Sequence, residues 1–299
     1  MRRFMLAPLL LLVAAPAAAQ PPNLDEVQIR VERVAPGVAV LFGAGGNIGL
    51  SHGEDGNVLI DDQYAPLSER ILAAVRSVDP DPVRFLINTH YHGDHTGGNE
   101  AIGRSGAVIV AHDNVRRRLS TEQLVLGNSV PPSPAGALPV VTFSESVTFH
   151  LNGDELRVFH VDHAHTDGDS IIYWTRANVL HMGDTFFNGM LPFIDVDGGG
   201  SIDGVIRALD QALNIATEAT VIIPGHGPVA RRTDLVRYRD MLRSLRDRVA
   251  AEIRAGRSVD QVKALRLADP HGRPTDFFPP DFFIETLYRS LTAQAGERG

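Results

Sequence analysis

Short apolar runs separated by glycine-rich turns dominate the first part of the chain. "GVAVLFG", "NIGLSHG" and "NVLIDD" are broken by "GAGG" and "EDG", a spacing that predicts a meander of short strands. "APLSERILAAVRSV" changes period: Leu67, Ile71, Leu72, Val75 and Val78 recur at helical intervals, and "VRFLINTH" returns to a buried strand. The alternation continues with "EAIGR" as helix and "AVIVAH" as strand, a proline-rich loop "GNSVPPSPAGALP", and strands through "IIYWT" and "NVLHMGD". In "SIDGVIRALDQAL", Ile202, Val205, Ile206, Leu209 and Leu213 share one helix face, and Ser201 stands where an N-cap belongs. A longer helix is expected from about Thr233 to Ile253, where Leu235, Tyr238, Leu242, Leu245 and Val249 alternate three and four apart. Nine arginines between Arg231 and Arg257 are interleaved with four acidic residues, which predicts a solvated helix face rather than an anion site. Nothing reads as a repeat or an interdomain linker. One domain is therefore expected over residues 20–299, with a C-terminal helical extension from about residue 231.

The extreme N-terminus follows a different pattern. "MRR" precedes the apolar "FMLAPLLLLVAAPAA", and Ala17-Ala18-Ala19 stands before Gln20, the layout of a secretory signal over residues 1–19. The run is short for a membrane span and carries Pro8 and Pro16, so a stable membrane anchor is not expected. A periplasmic or secreted mature protein is. With no cysteine in the chain, lipoprotein attachment and disulfides are both excluded, and stability must come from packing and bound metal. The 43% hydrophobic composition of 299 residues suffices for a sizeable core. Removing Arg2 and Arg3 leaves 26 basic against 36 acidic residues, a formal net charge of −10, which disfavours a nucleic-acid partner and leaves a small molecule as the expected substrate.

Candidate chemistry is concentrated in "NTHYHGDHTGGN", directly after the strand "VRFLI". His90, His92, Asp94 and His95 form H-x-H-x-D-H. Alternation on an extended segment places His90 and His92 on one side, whereas Asp94 and His95 lie beyond a glycine turn and can face a second point. Imidazoles with a carboxylate suit a borderline cation such as zinc. Further ligand types occur at other apolar-run ends beside glycine: His165 in "DHAHTDGD", Asp184 in "HMGDTFF" and His226 in "IIPGHGP".

In this order the motifs resemble the metallo-β-lactamase superfamily of metallohydrolases, over roughly Val27 to Pro228. The resemblance implies an α/β fold, a four-layer αββα sandwich of two mixed β-sheets flanked by helices. It implies a first cation held by His90, His92 and His165, a second by Asp94, His95 and His226, and Asp184 bridging them. Asp61, in "LID", would orient a ligand rather than bind metal, and the adjacent Asp62 is expected to be exposed. Two zinc ions are the implied cofactors, with di-iron or mononuclear iron as alternatives. The implied activity is hydrolysis of a β-lactam, lactone, ester or thioester by a hydroxide bridging the metals, with Asp94 as the catalytic residue that binds the second cation and aims the nucleophile.

Departures from particular branches narrow this. Asp184 stands where the broadest lactamase branch has cysteine, and "GDTFFNGMLPF" lacks that branch's carboxylate-gripping lysine, so the chain looks closer to glyoxalase II-like enzymes. His92 stands where di-iron flavoproteins have glutamate. A persulfide dioxygenase with one iron, a phosphodiesterase and a non-catalytic periplasmic zinc-binding protein are the rival readings; export and negative charge weigh against the second, Asp94 against the third. His163 competes with His165 as ligand, but the following "TDGD" favours His165. His181 is expected to be packed or hydrogen-bonded, and His52, His112, His150, His160 and His271 to be ordinary residues. Phe186, Phe187, Met190, Leu191 and Phe193 are candidates for an apolar substrate wall, Phe186 equally for the core. The loops "GNSVPPSPAGALP" and "NGMLPFIDVDGGGS" are expected to border the site.

Overall fold

A computed structural model describes residues 23–273 and 276–297. The expected signal lies outside the described residues. The first sheet is assembled from β1 (Arg30–Ala35), β2 (Val38–Phe42), β3 (Ile48–Ser51), β4 (Asn57–Ile60), β5 (Val83–Ile87) and β6 (Val108–His112). A small hairpin of β7 (Gln123–Val125) and β8 (Asn128–Val130) intervenes before β9 (Val141–Phe143) completes it. Strands β1 to β4 pair antiparallel as the expected meander, and β4, β5, β6 and β9 run parallel. The parallel part needs crossovers, supplied by α1 (Ser68–Val78), the short α2 (Gly93–Thr96) with α3 (Asn99–Arg104), and α4 (Asp113–Leu119). The second sheet contains β10 (Ser146–Leu151), β11 (Asp154–His160), β12 (Ser170–Trp174), β13 (Val179–His181), β14 (Val221–Ile223) and β15 (Ala230–Arg231) in that order. It is antiparallel except where β13 runs parallel to β14, a crossover made by α5 (Ile202–Ile215). The C-terminal part is helical: α6 (Arg232–Arg254), α7 (Val259–Lys263) and α8 (Pro280–Glu297).

Strand alternation produces the layers. Val38, Val40, Val58 and Ile60 meet Ile172, Trp174, Val179, Val221 and Ile223 between the two sheets. The residues in between, Ala39, Leu41 and Leu59, face outward onto Ile71, Val75 and Ile102 of α1 and α3. On the other sheet Ile171, Leu180 and Ile222 face α5, α6 and α8 through Val205, Leu209, Leu235, Leu242, Phe283 and Leu287. Both faces of the central strands are covered, which explains why these segments read as unbroken apolar runs. The result is the expected αββα sandwich. Ser201 accepts from Gly204 N at 3.0 Å and caps α5, and all five apolar positions singled out in α6 are buried. The arginine face of α6 differs from expectation. Arg239 and Arg243 reach Asp210, and Arg246 reaches Asp203, so these arginines tie α6 to α5 instead of only facing water.

Candidate metal centre

Strand ends from both sheets converge at one edge of the sandwich. Beyond Ile87 of β5, Asn88 N donates to Val110 O at 3.0 Å and Ser170 N to Thr89 O at 2.8 Å, which holds the strand extended up to His90 and His92. The chain then turns into α2, whose N-cap is His92, and the helical turn carries Asp94 and His95 toward His226, with the His95 ring still 4.2 Å from that of His90. His165 follows β11, and Asp184 follows β13 in a short 3-10 turn. Parallel pairing of β13 with β14 sets His226 beside Asp184. Gly225 is required there, since a Cβ would sit 2.0 Å from Asp184 Oδ1. Ends of neighbouring parallel strands are where side chains from separate segments most readily share a site.

The side chains form two groups, His90, His92, His165 and Asp184 in one, and Asp94, His95 and His226 in the other; within each, one donor atom per residue lies within 4.8 Å of the rest. Asp184 lies between them. Its Oδ2 is 3.6 Å from His165 Nε2 and 3.4 Å from His226 Nε2, and its Oδ1 is 3.1 Å from His95 Nε2. Asp94 Oδ2 is 3.2 Å from His226 Nε2. His90, His92, His95, His165 and Asp184 are buried, whereas the side chains of Asp94 and His226 are 23% and 24% exposed and mark the open side.

Hydrogen bonds on the far side of each ring settle which nitrogen faces inward. His92 Nε2 is 2.9 Å from Asp195 Oδ2, His165 Nδ1 is 2.9 Å from Phe193 O, and His95 Nδ1 is 2.8 Å from Asp61 Oδ2. These partners only accept, so the outer nitrogens carry the protons. Thr89 Oγ1 donates to Asp61 Oδ2 at 2.7 Å and therefore accepts from His90 Nδ1 at 2.9 Å. In the neutral form of each ring the inner nitrogen then keeps its lone pair. His92 Nδ1 and His165 Nε2 stand 2.9 Å apart, and His90 Nε2 is buried with no hydrogen-bond partner. Donor atoms converging so closely in a buried place suit a cation, and three imidazoles with a carboxylate, or two with shared carboxylates, fit a divalent metal.

Without a cation, the carboxylates of the second group are balanced by protons, whereas His90 and His165 of the first group stay neutral. Burial lowers the pKa of His165 to about 4 and holds His90 well below the usual histidine range. Burial also works against protonation of His226, but the Asp184 and Asp94 carboxylates raise it to about 9, and they raise His95 as well. Conversely, burial disfavours charge on Asp94, yet His95 and His226 hold it down at about 2.

Other residues divide between those the sequence indicated and those it did not. His165 is in the cluster, whereas His163 is exposed, its Nδ1 donating to Gly199 O at 2.8 Å. Asp61 is buried, accepting also from Thr89 N at 2.7 Å. The expectation for Asp62 is corrected: it is 0% exposed and accepts from Gly98 N at 2.9 Å. Asp61 has φ 65°, so the chain doubles back and carries the next carboxyl under α3 rather than into water. His181 is buried, 3.0 Å from Asn47 O. His112 and His160 are not isolated: their rings stack at 3.7 Å and link β6 to β11. Phe187 stacks on His226 and Phe193 on His92, while Phe186 packs on Tyr238 in the core and Met190 is exposed. Phe278, stacked on Phe193 at 5.4 Å, and Phe282 extend this wall from the C-terminal region. Sequence reasoning missed both; the aromatic run "DFFPPDFF" was the available signal. The C-terminal end of the loop "GNSVPPSPAGALP" packs against α3 and α4, where Ala137 O accepts from Asn99 and Pro139 O from Arg116. Asp195 and Tyr91 were also missed.

Comparison with known proteins agrees with this geometry. A family model described as the metallo-beta-lactamase superfamily matches residues 42–226. A hydroxyacylglutathione hydrolase from Nitrosococcus oceani is 28% identical over 176 residues, 58% of each chain. The 2,4-dinitroanisole O-demethylase subunit alpha of a Nocardioides species is 30% identical over 141 residues, 46% of this chain and 40% of that one. The chain thus spans little more than half of the first relative and less than half of the second. Among solved structures, a metallo-beta-lactamase from Pontibacter korlensis superposes with a TM-score of 0.60 at 22% identity, over 72% of this chain and 99% of its own, a likeness of fold.

Proposed function

Because the chain belongs to the metallo-beta-lactamase superfamily, we propose that it is a zinc-dependent hydrolase of carbonyl compounds: a β-lactam, lactone, ester or thioester. The observation that carries this reading is the convergence of seven donor side chains in two groups about Asp184, with Asp94 and His226 on the open side. His90, His92 and His165 would hold one divalent cation, Asp94, His95 and His226 a second, and Asp184 both. Bound there, such cations supply Lewis acidity toward a carbonyl and lower the proton affinity of water. Asp94, at the open side, would bind the second cation and accept a hydrogen bond from the attacking water, fixing its approach. Asp61 holds His95 by its Nδ1 and so aims Nε2 at the cluster. Phe187 and Phe193 each cover one face of a ligand ring, His226 and His92, and would offer an apolar flank to the acyl part of a substrate. The relatives named hydroxyacylglutathione hydrolases support acyl transfer to water. The signal-like residues 1–19 support a periplasmic or secreted location. No helix among the described residues is long and apolar enough to cross a membrane.

The test is a hydrolysis panel on zinc-loaded protein covering β-lactams, lactones, esters, thioesters, an aryl methyl ether and phosphodiesters, with metal content measured alongside. Turnover of at least one carbonyl class with two zinc ions per chain is expected. Turnover of phosphodiesters alone, or iron retained in preference to zinc with oxygen consumption, would replace this reading.

A further inference from the structure

The loop between Phe193 and Gly200 grips two ligand rings from behind. His165 Nδ1 donates to Phe193 O at 2.9 Å, and His92 Nε2 donates to Asp195 Oδ2 at 2.9 Å. Asp195 is itself fixed. Tyr91 donates its hydroxyl to the same Oδ2, and Gly198 N donates to Oδ1 at 2.9 Å. Asp195 N donates to His165 O at 2.9 Å, and Gly200 N to Asp195 O at 2.7 Å. A Cβ at Gly198 would lie 2.4 Å from Asp195 Oδ2 and 2.7 Å from the Tyr91 hydroxyl, so the carboxylate and phenol occupy the space a side chain would need. The first glycine of "DVDGGG" is thereby explained.

We infer that Asp195, braced by Tyr91 and Gly198, is the positioning residue that makes His92 a ligand through Nδ1, by holding the proton of that ring on Nε2. His92 is placed differently from its neighbours. His90, His95 and His165 bond outward through Nδ1 and present Nε2, whereas His92 bonds outward through Nε2 and presents Nδ1. Nδ1 is the nitrogen nearer the backbone, and the Asp195 carboxylate, bonded to Nε2 at the far end of the ring, holds the orientation that leaves Nδ1 facing His165 and the cluster. A carboxylate behind a ligand histidine also raises the ring's basicity as a ligand. The inference rests on the reading of His90, His92, His165 and Asp184 as a metal site, and it does not require that any panel substrate be hydrolysed.

The experiment uses the full mature chain and three variants, Asp195→Ala, Asp195→Asn and Tyr91→Phe. In metal-free protein with 15N-labelled histidine, two-bond 1H–15N spectra report which nitrogen of His92 is protonated, with assignment by His92→Asn. Zinc affinity is measured by competition with a chromophoric chelator. We expect Nε2–H in the wild type and in Asp195→Asn, whose amide oxygen still accepts, and a shift toward Nδ1–H in Asp195→Ala. Zinc affinity of the tighter site should fall about 10- to 100-fold in Asp195→Ala, the range for loss of an outer partner of a ligand, and less in Asp195→Asn and Tyr91→Phe. A folded Asp195→Ala with unchanged tautomer and affinity within twofold of wild type overturns the inference. Should the alanine variant not fold, Asp195→Asn decides: weaker zinc binding with the tautomer kept supports the assignment, and unchanged binding overturns it. A wild type that binds zinc with these dependences but hydrolyses nothing would remove the proposed function and leave this inference standing.

Discussion

At the scale of single residues, the proposed function gives Asp94 two duties, and the asparagine variant separates them from size. Asp94→Asn keeps one acceptor oxygen but loses the charge that faces His226 at 3.2 Å. Metal in the first group should survive while turnover of whichever substrate the panel identifies falls about a hundredfold or more, the scale of losing an electrostatic catalytic group. His163→Ala, altering a ring outside the cluster, should leave metal content and turnover near wild type; metal loss would move the third-ligand role away from His165. The two groups should also differ in pH response. A metal can enter only after ligand protons leave. His226, raised to about 9, and His95, also raised, are protonated in metal-free protein at neutral pH, whereas His165, at about 4, and His90, lowered, are not. Apparent zinc affinity of the second group should therefore fall steadily as pH drops from about 9, while the first group stays nearly insensitive until the pH approaches about 4 as far as these two rings decide it. Dialysis of two-zinc protein against buffers of decreasing pH, with metal analysis, should show one ion leaving well before the other. Simultaneous loss would contradict this assignment of charge.

At the scale of elements, the site depends on how strands end. β4 gives way to Asp61, whose φ of 65° is unusual for a residue with a Cβ and is kept because its carboxylate accepts from Thr89 N, Thr89 Oγ1 and His95 Nδ1 at once. Left-handed backbone at a non-glycine residue persists where surrounding bonds over-determine it. Asp61→Ala would orphan those donors in a buried place, at a cost of about 2–4 kcal/mol. Denaturant unfolding of the metal-free variant should show that loss, and zinc titration should show the second group weakened through His95 more than the first. An unchanged midpoint would mean that the turn is held by other contacts.

At the scale of the whole molecule, α6 contributes to the same core as the second sheet. Leu235, Tyr238, Leu242, Leu245 and Val249 are buried with Leu180, Leu209 and Leu287. At roughly 1.5–3 kcal/mol for each large apolar side chain, these five contribute about 10 kcal/mol, similar to the net stability of an entire domain. Limited proteolysis should thus spare α6. Rapid release of an active core ending near Arg232 would show the helical extension to be a separate unit. Cation removal offers a second global test. A ligand that binds only the folded state at about a thousand times its Kd adds about 4 kcal/mol, so a chelator should lower Tm by several degrees. On metal-free protein a thiol reductant should have no effect, since the chain has no cysteine.

Much of the fold was legible in the sequence because its signals are local. Unbroken apolar runs marked the central strands, period changes marked α1, α5 and α6, and Ser201 marked a cap. The candidate ligands were legible for a similar reason: H-x-H-x-D-H is one short segment, and His165, Asp184 and His226 each end an apolar run beside glycine. The supports behind them were not legible. Asp195 reaches His92 across 103 positions, and Phe278 lies on Phe193 only because the C-terminal region returns to the site edge. Asp62 read as exposed because nothing in "LIDDQ" announces a left-handed turn at Asp61. The arginines of α6 read as solvated because their partners Asp203 and Asp210 stand on a different helix. Periodicity reports which side of an element is apolar, and residue type reports what a side chain can bind. Which nitrogen of a ring faces the cation, and which carboxylate holds it there, depends on contacts between segments that only folding brings together.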